Sequence, residues 1–277
     1  MKKLLAFVFL SVNTFNIYAS QLVTKEFIGK DSGIKHFVTV ILPTAYSQDK
    51  KHNVVYVLHG HGGDHTSWTR MTDIEALADK FNVIIVNPNG GYDSWYLDSK
   101  IKTDSLYETY IAKDIVNYID QSYSTNPSRT GRAITGLSMG GFGALHIAIN
   151  NQDVFGAVSA MSAGVDLRPF SAEFGIKKVL GDYADVPNHW SDAAIINNLH
   201  KIAAGNNNWK KGADILPIML DIGVSDFFLP SNRQLHQAML DLRVRHDYVE
   251  RPGAHNWAYW SNAIVYQFQF LTDHLAN

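Results

Sequence analysis

Apolar and polar positions along this chain follow two periods that take turns. Residues 22–28 and 35–42 alternate or run apolar and are split by Asp31, Ser32 and Gly33, which predicts an antiparallel hairpin. After a polar loop at 43–53, Val54, Val55, Tyr56, Val57 and Leu58 form an unbroken apolar run. Such a run suits a strand covered on both faces, as in a parallel sheet. A helix is expected at 73–80 and a second buried strand at 83–86, followed by a long loop at 87–102 rich in Gly, Asp and aromatic residues. Residues 106–119 place Leu106, Ile111, Ile115 and Ile119 at helical spacing. A strand at 130–135, a core helix carrying Phe142, Leu145, Ile147, Ala148 and Ile149, and a strand at 157–161 continue the series. The sheet resumes at 215–222, then come a helix at 231–242, a last strand at 245–251 and a closing helix at 257–275. Strands alternating with helices predict an α/β fold, with a mostly parallel central sheet of about eight strands and helices on both faces.

Two stretches fall outside that rhythm. Residues 163–212 mix short helical pieces (171–180 and 191–199) with the polar run 205–211, and read as an insertion between strands. The start of the chain has a charged Met1-Lys2-Lys3, a short apolar run at 4–12 and small residues at Ala19-Ser20. That is the pattern of a secretory signal peptide over residues 1–20, cleaved after Ala19 or Ser20 and too short for a spanning helix. The mature chain, 21–277, is then expected to be one domain, exported to the periplasm or beyond, with no membrane span.

Composition narrows the picture. An apolar content of 46% in 277 residues permits a sizeable core, and a net charge of −2 gives no basic footprint for nucleic acid. With no cysteine, disulfides, thiolate metal sites, a lipid-anchoring cysteine and a cysteine nucleophile are all ruled out.

The candidate chemistry centres on Gly136-Leu137-Ser138-Met139-Gly140, flanked by a predicted strand and a predicted helix. A strand that turns at once into a helix strains the turn residue, and glycines on either side permit the close approach. Ser138 is therefore the expected nucleophile. A serine hydroxyl needs a base, which is nearly always histidine held by a carboxylate. Of twelve histidines, His255 lies directly after the last strand, where its imidazole can reach the sheet's carboxyl edge. Asp226 follows the strand at 215–222 through Gly223-Val224-Ser225 and is the expected acid. Asp221, within that strand, is its rival, and Asp247 is weaker. The oxyanion of an acyl-transfer intermediate needs two backbone N–H donors, expected from Met139 and from His61 in the glycine-loosened loop His59-Gly60-His61-Gly62-Gly63. That loop also supports a rival, since His59, His61, Asp64 and His65 approximate the zinc-binding run of metal-dependent hydrolases. The spacing is one residue too long, and no downstream ligands suggest themselves. No metal or cofactor is expected.

With those residues in hand, the chain resembles the Putative esterase family of α/β-hydrolases, which includes feruloyl and acetylxylan esterases, S-formylglutathione hydrolases and bacterial mycolyltransferases. The resemblance rests on residues 57–63, 136–145, 223–227 and 253–260. It implies the α/β-hydrolase fold and the same five residues: Ser138, Asp226 and His255, with His61 and Met139 as oxyanion donors. A signal peptide argues against the cytosolic S-formylglutathione hydrolases. It favours an exported carboxylesterase acting on feruloyl or acetyl groups of plant-derived carbohydrate, with a small-molecule or oligosaccharide ester as substrate. Trp95, Tyr96 and Trp257 are candidates for contacting it. An S-formylglutathione hydrolase-like enzyme or a general small-ester esterase is the alternative. A binding protein on a hydrolase scaffold would be expected to lack one member of the triad.

Overall fold

The computed structural model describes residues 20–203 and 216–276. The expected signal peptide and the polar run at 205–211 lie outside the described residues, apart from Ser20.

Eight strands form one sheet: β1 Gln21–Ile28, β2 Lys35–Leu42, β3 Val54–Leu58, β4 Ile84–Pro88, β5 Arg132–Gly136, β6 Ala157–Met161, β7 Ile218–Gly223 and β8 Asp247–Arg251. Their spatial order is β1-β2-β4-β3-β5-β6-β7-β8. The hairpin β1–β2 joins β4 antiparallel, and from β4 to β8 every pairing is parallel. The sheet is therefore mostly parallel, as the apolar runs predicted.

Those runs are unbroken because both faces are covered. On one face Val54, Tyr56 and Leu58 of β3 pack with Ile134, Val158, Phe142 and Ile147 beneath the Met139–Asn150 helix. On the other, Val55 and Val57 pack with Ala133, Ala157 and the helices Ile74–Phe81 and Trp257–Asp273. A two-residue period delivers alternate side chains to two separate cores, so every position is apolar. β1, by contrast, is an edge and is largely exposed.

Two local readings differ from expectation. The helix expected at 106–119 has α-helical ends (Tyr107–Thr109, Val116–Ser122) around a π-helical stretch, Tyr110–Ile115. Within that stretch the Asp114 carboxylate accepts the Asp31 and Ser32 N–H groups at 2.9 and 3.0 Å, which ties the helix to the β1–β2 turn. The helical piece expected at 171–180 shrinks to Lys177–Leu180, preceded by a 3₁₀ turn at Arg168–Phe170. Phe174 and Gly175 have φ of +52° and +67°, a left-handed pair that no right-handed helix accommodates.

Candidate active site

β5 ends at Gly136 and the Met139–Asn150 helix begins three residues later, so Leu137 and Ser138 must make the whole turn. Ser138 has φ +54° and ψ −118°, a costly conformation for a residue with a side chain. Its N–H donates to the Met161 carbonyl at 2.9 Å, which holds the residue against β6. The flanking glycines are required by contact. A Cβ on Gly136 would meet the Gly140 backbone at 2.5 Å, and one on Gly140 would meet the Leu58 and His59 carbonyl oxygens at 2.5 Å. Backbone cannot yield as a side chain does. Gly140→Ala should therefore lower stability by about 1–3 kcal/mol, as overpacking does, with an unchanged urea midpoint counting against this packing.

The strained turn aims the Ser138 hydroxyl at a histidine. Ser138 Oγ lies 2.9 Å from Nε2 of His255, and His255 Nδ1 lies 2.8 Å from Asp226 Oδ2. The Asp226 side chain is fully enclosed, and its other oxygen accepts the Phe228 N–H at 2.9 Å. With Nδ1–H donating to a carboxylate, Nε2 is left as an acceptor for the hydroxyl proton. Three stretches far apart in sequence thus meet at the carboxyl edge of the sheet, after β5, β7 and β8. The rival acid Asp221 is buried within β7, bonded to Arg251, Tyr259 and Gln267. Asp247 is exposed at the start of β8, at the far end of the strand.

The N-terminus of the Met139–Asn150 helix points its dipole at this turn, which favours negative charge there. Among the described residues no carbonyl takes the Met139 or His61 N–H. The loop bearing His61 is held from beneath by His59. The His59 ring donates from Nδ1 to the Gly60 carbonyl and accepts the Gly90 N–H at Nε2, both at 2.8 Å. Burial pushes its pKa down to about 4, so the ring stays neutral and fixed in that tautomer. His65 is likewise engaged, by Thr39 at 2.8 Å. Among the described residues no three His, Asp or Glu side chains are grouped to hold a metal ion.

A cavity of about 370 Å³ opens over Ser138 and His255. Trp95 and Trp257 line it. Tyr96 does not: it is fully buried, wedged between Gly90 and Gly143, with its hydroxyl donating to the His59 carbonyl at 3.0 Å. Trp95 and Tyr96 both have positive φ and are both fully buried, with the Trp95 ring against Phe142 and Phe174 at the cavity wall.

The sequence reading did not single out Phe174, Phe227 and Phe228, which also line the cavity. Phe227 and Phe228 follow Asp226 directly, and that adjacency was the available signal. Phe174 lies between β6 and β7, and its backbone carbonyl accepts the Trp95 indole N–H at 3.1 Å. Lys178 pairs with Asp93 at 2.5 Å, so the stretch from Phe174 to Lys178 is tied to the 92–96 loop beside the cavity.

Comparison with known proteins agrees with the geometry. The family model described as Putative esterase matches residues 32–271. An acetyl esterase of Caldicellulosiruptor saccharolyticus is 24% identical over 234 residues, 79% of this chain and 82% of that protein. Among solved structures, a ferulic acid esterase is 28% identical with a TM-score of 0.79, covering 94% of this chain and 100% of that one. A fluorophosphonate-binding serine hydrolase of Staphylococcus aureus shares the fold with a TM-score of 0.80 at 22% identity, covering 92% of this chain and 99% of that one. The family match spans nearly the whole described chain, and on that ground this protein belongs to the esterase family and is a carboxylic ester hydrolase.

Proposed function

We propose that this chain is an exported serine carboxylesterase that works through an acyl-enzyme. Ser138 is the nucleophile, His255 the general base and Asp226 the carboxylate that orients it. The observation that carries this reading is the unbroken relay from Ser138 Oγ to His255 Nε2 (2.9 Å) and from His255 Nδ1 to Asp226 Oδ2 (2.8 Å). Oγ attacks the ester carbonyl carbon as its proton passes to Nε2, and the enclosed Asp226 stabilises the imidazolium that forms. The carbonyl oxygen, now an oxyanion, is received by the Met139 and His61 N–H groups. His255 then gives its proton to the departing alcohol. Water then attacks the acyl carbon as it loses a proton to His255. When this second oxyanion collapses, the bond to Oγ breaks, His255 returns the proton to Ser138 and the acid leaves.

The substrate we infer is a feruloyl or acetyl ester of plant-derived carbohydrate. The cavity's size and its aromatic walls, Trp257 among them, suit a flat or short acyl group. Relatives named as acetyl esterase and ferulic acid esterase support that choice. Residues 1–20 serve as the export signal in this reading, and 21–277 form one hydrolase domain with an insertion at 163–212.

A fluorophosphonate probe should label the protein once, with mass spectrometry placing the adduct on Ser138; no adduct, or one elsewhere, overturns the mechanism. Methyl ferulate and acetylated xylo-oligosaccharides assayed side by side should reveal a marked preference for one. Equal, slow turnover of both would instead mark a general small-ester esterase.

A further inference from the structure

The segment that carries His255, residues 252–256, is short and joins β8 to the Trp257–Asp273 helix. Both of its ends are held by a single carboxylate. Asp221, in the neighbouring strand β7, has a completely enclosed side chain. It accepts from Arg251 Nη2 at 2.5 Å, from the Tyr259 hydroxyl and from Gln267 Nε2 at 2.9 Å. Arg251 is the last residue of β8, while Tyr259 and Gln267 belong to the first and third turns of the helix. Arg251 reinforces the clamp, lying 4.5 Å from the Tyr266 ring centre and 3.3 Å from Asn262 Oδ1.

The segment between is tied to the turn that bears Asp226. Val224 N–H donates to the Arg251 carbonyl at 2.9 Å and Ser225 N–H to the Gly253 carbonyl at 2.8 Å. There is no slack: a Cβ on Gly223 would meet the Gly253 oxygen at 2.4 Å, and one on Gly253, at φ +149°, would strike the Tyr259 ring at 2.2 Å.

Burying an ion pair yields little net stability, because desolvation offsets the attraction. Stability alone is therefore a weak account of this cluster, and its placement suggests another. We propose that Asp221 is a positioning residue: it fixes β8 and the closing helix at one separation, so that the segment between them presents His255 to Ser138. This rests on the reading of His255 as the base. The clamp touches neither Ser138 nor His255 and acts on the reaction only through the loop it holds.

The test compares wild type with Asp221→Asn, which keeps shape and loses charge, and with Tyr259→Phe, which removes one donor. Well below each variant's unfolding temperature, kcat for p-nitrophenyl acetate and the fluorophosphonate labelling rate should fall together. An ångström-scale shift of a catalytic group costs up to about 100-fold, so we expect roughly 10- to 100-fold for Asp221→Asn and a smaller loss for Tyr259→Phe, with KM within about twofold. The low-field Nδ1–H proton resonance of His255 should broaden or move in both. Lowered melting temperatures with unchanged kcat, labelling rate and resonance would overturn the proposal. If Asp221→Asn does not fold, Tyr259→Phe and Gln267→Leu decide by the same readouts. Wild-type protein that resists labelling would sink the serine mechanism itself, whereas labelling at wild-type rate in the variants would sink the clamp alone.

Discussion

Replacing Ser138 with alanine should reduce ester turnover by roughly 10⁵-fold or more, the scale seen when a serine hydrolase loses its nucleophile. The hydroxyl is the only oxygen within hydrogen-bond reach of His255 Nε2 among the described residues. Without it no acyl-enzyme can form, and what remains is attack by water on an ester held near two N–H donors. Folding should barely respond. Alanine at φ +54° is strained as serine is, and a single hydrogen bond contributes about 1 kcal/mol net. The measurement is p-nitrophenyl acetate hydrolysis alongside a urea melt. Turnover within tenfold of wild type, in protein with an intact melt, would remove the serine mechanism.

Asp226→Asn should cost about 10⁴-fold in kcat, for a reason that differs from simple loss of charge. The carboxylate uses both oxygens, one for His255 Nδ1 and one for the Phe228 N–H. An amide has one oxygen. If it faces Phe228, the NH₂ group faces Nδ1, and the imidazole must move its proton to Nε2. The ring then meets Ser138 with a donor and cannot take the hydroxyl proton. Crystals of the variant should show the same atomic positions as wild type, with activity lost all the same. A drop of less than tenfold would mean that Asp226 neither sets the tautomer nor stabilises the imidazolium.

Much of this was legible in residue order. Val54–Leu58 and Ala157–Met161 could be read residue for residue, because strands buried on both faces are apolar throughout or, as at Ser159, carry only a small polar side chain that bonds within the sheet. The three members of the relay were legible for a related reason. Each follows a strand at the same edge of the sheet, so chain order alone orders them in space. The aromatic residues around the cavity were not. Tyr96 and Trp95 are neighbours in one loop, both at positive φ and both fully buried, yet only Trp95 reaches the cavity. Nothing in a single sequence reports a left-handed tyrosine. Phe174 was hidden likewise, since the Phe174–Gly175 turn ends a stretch whose composition otherwise suits a helix. The π-helical stretch was invisible too, because one extra residue per turn barely disturbs the spacing of apolar positions.

The separation of Ser138 and His255 by 117 residues has a consequence for how the protein gains its competence. No single hairpin or helix pair contains the relay, since its members follow β5, β7 and β8. During refolding from urea, helical signal can recover early through local contacts, while hydrolysis can return only after these long-range ones have closed. Recovery of hydrolysis in this chain would thus report the closing of contacts that local secondary structure does not report.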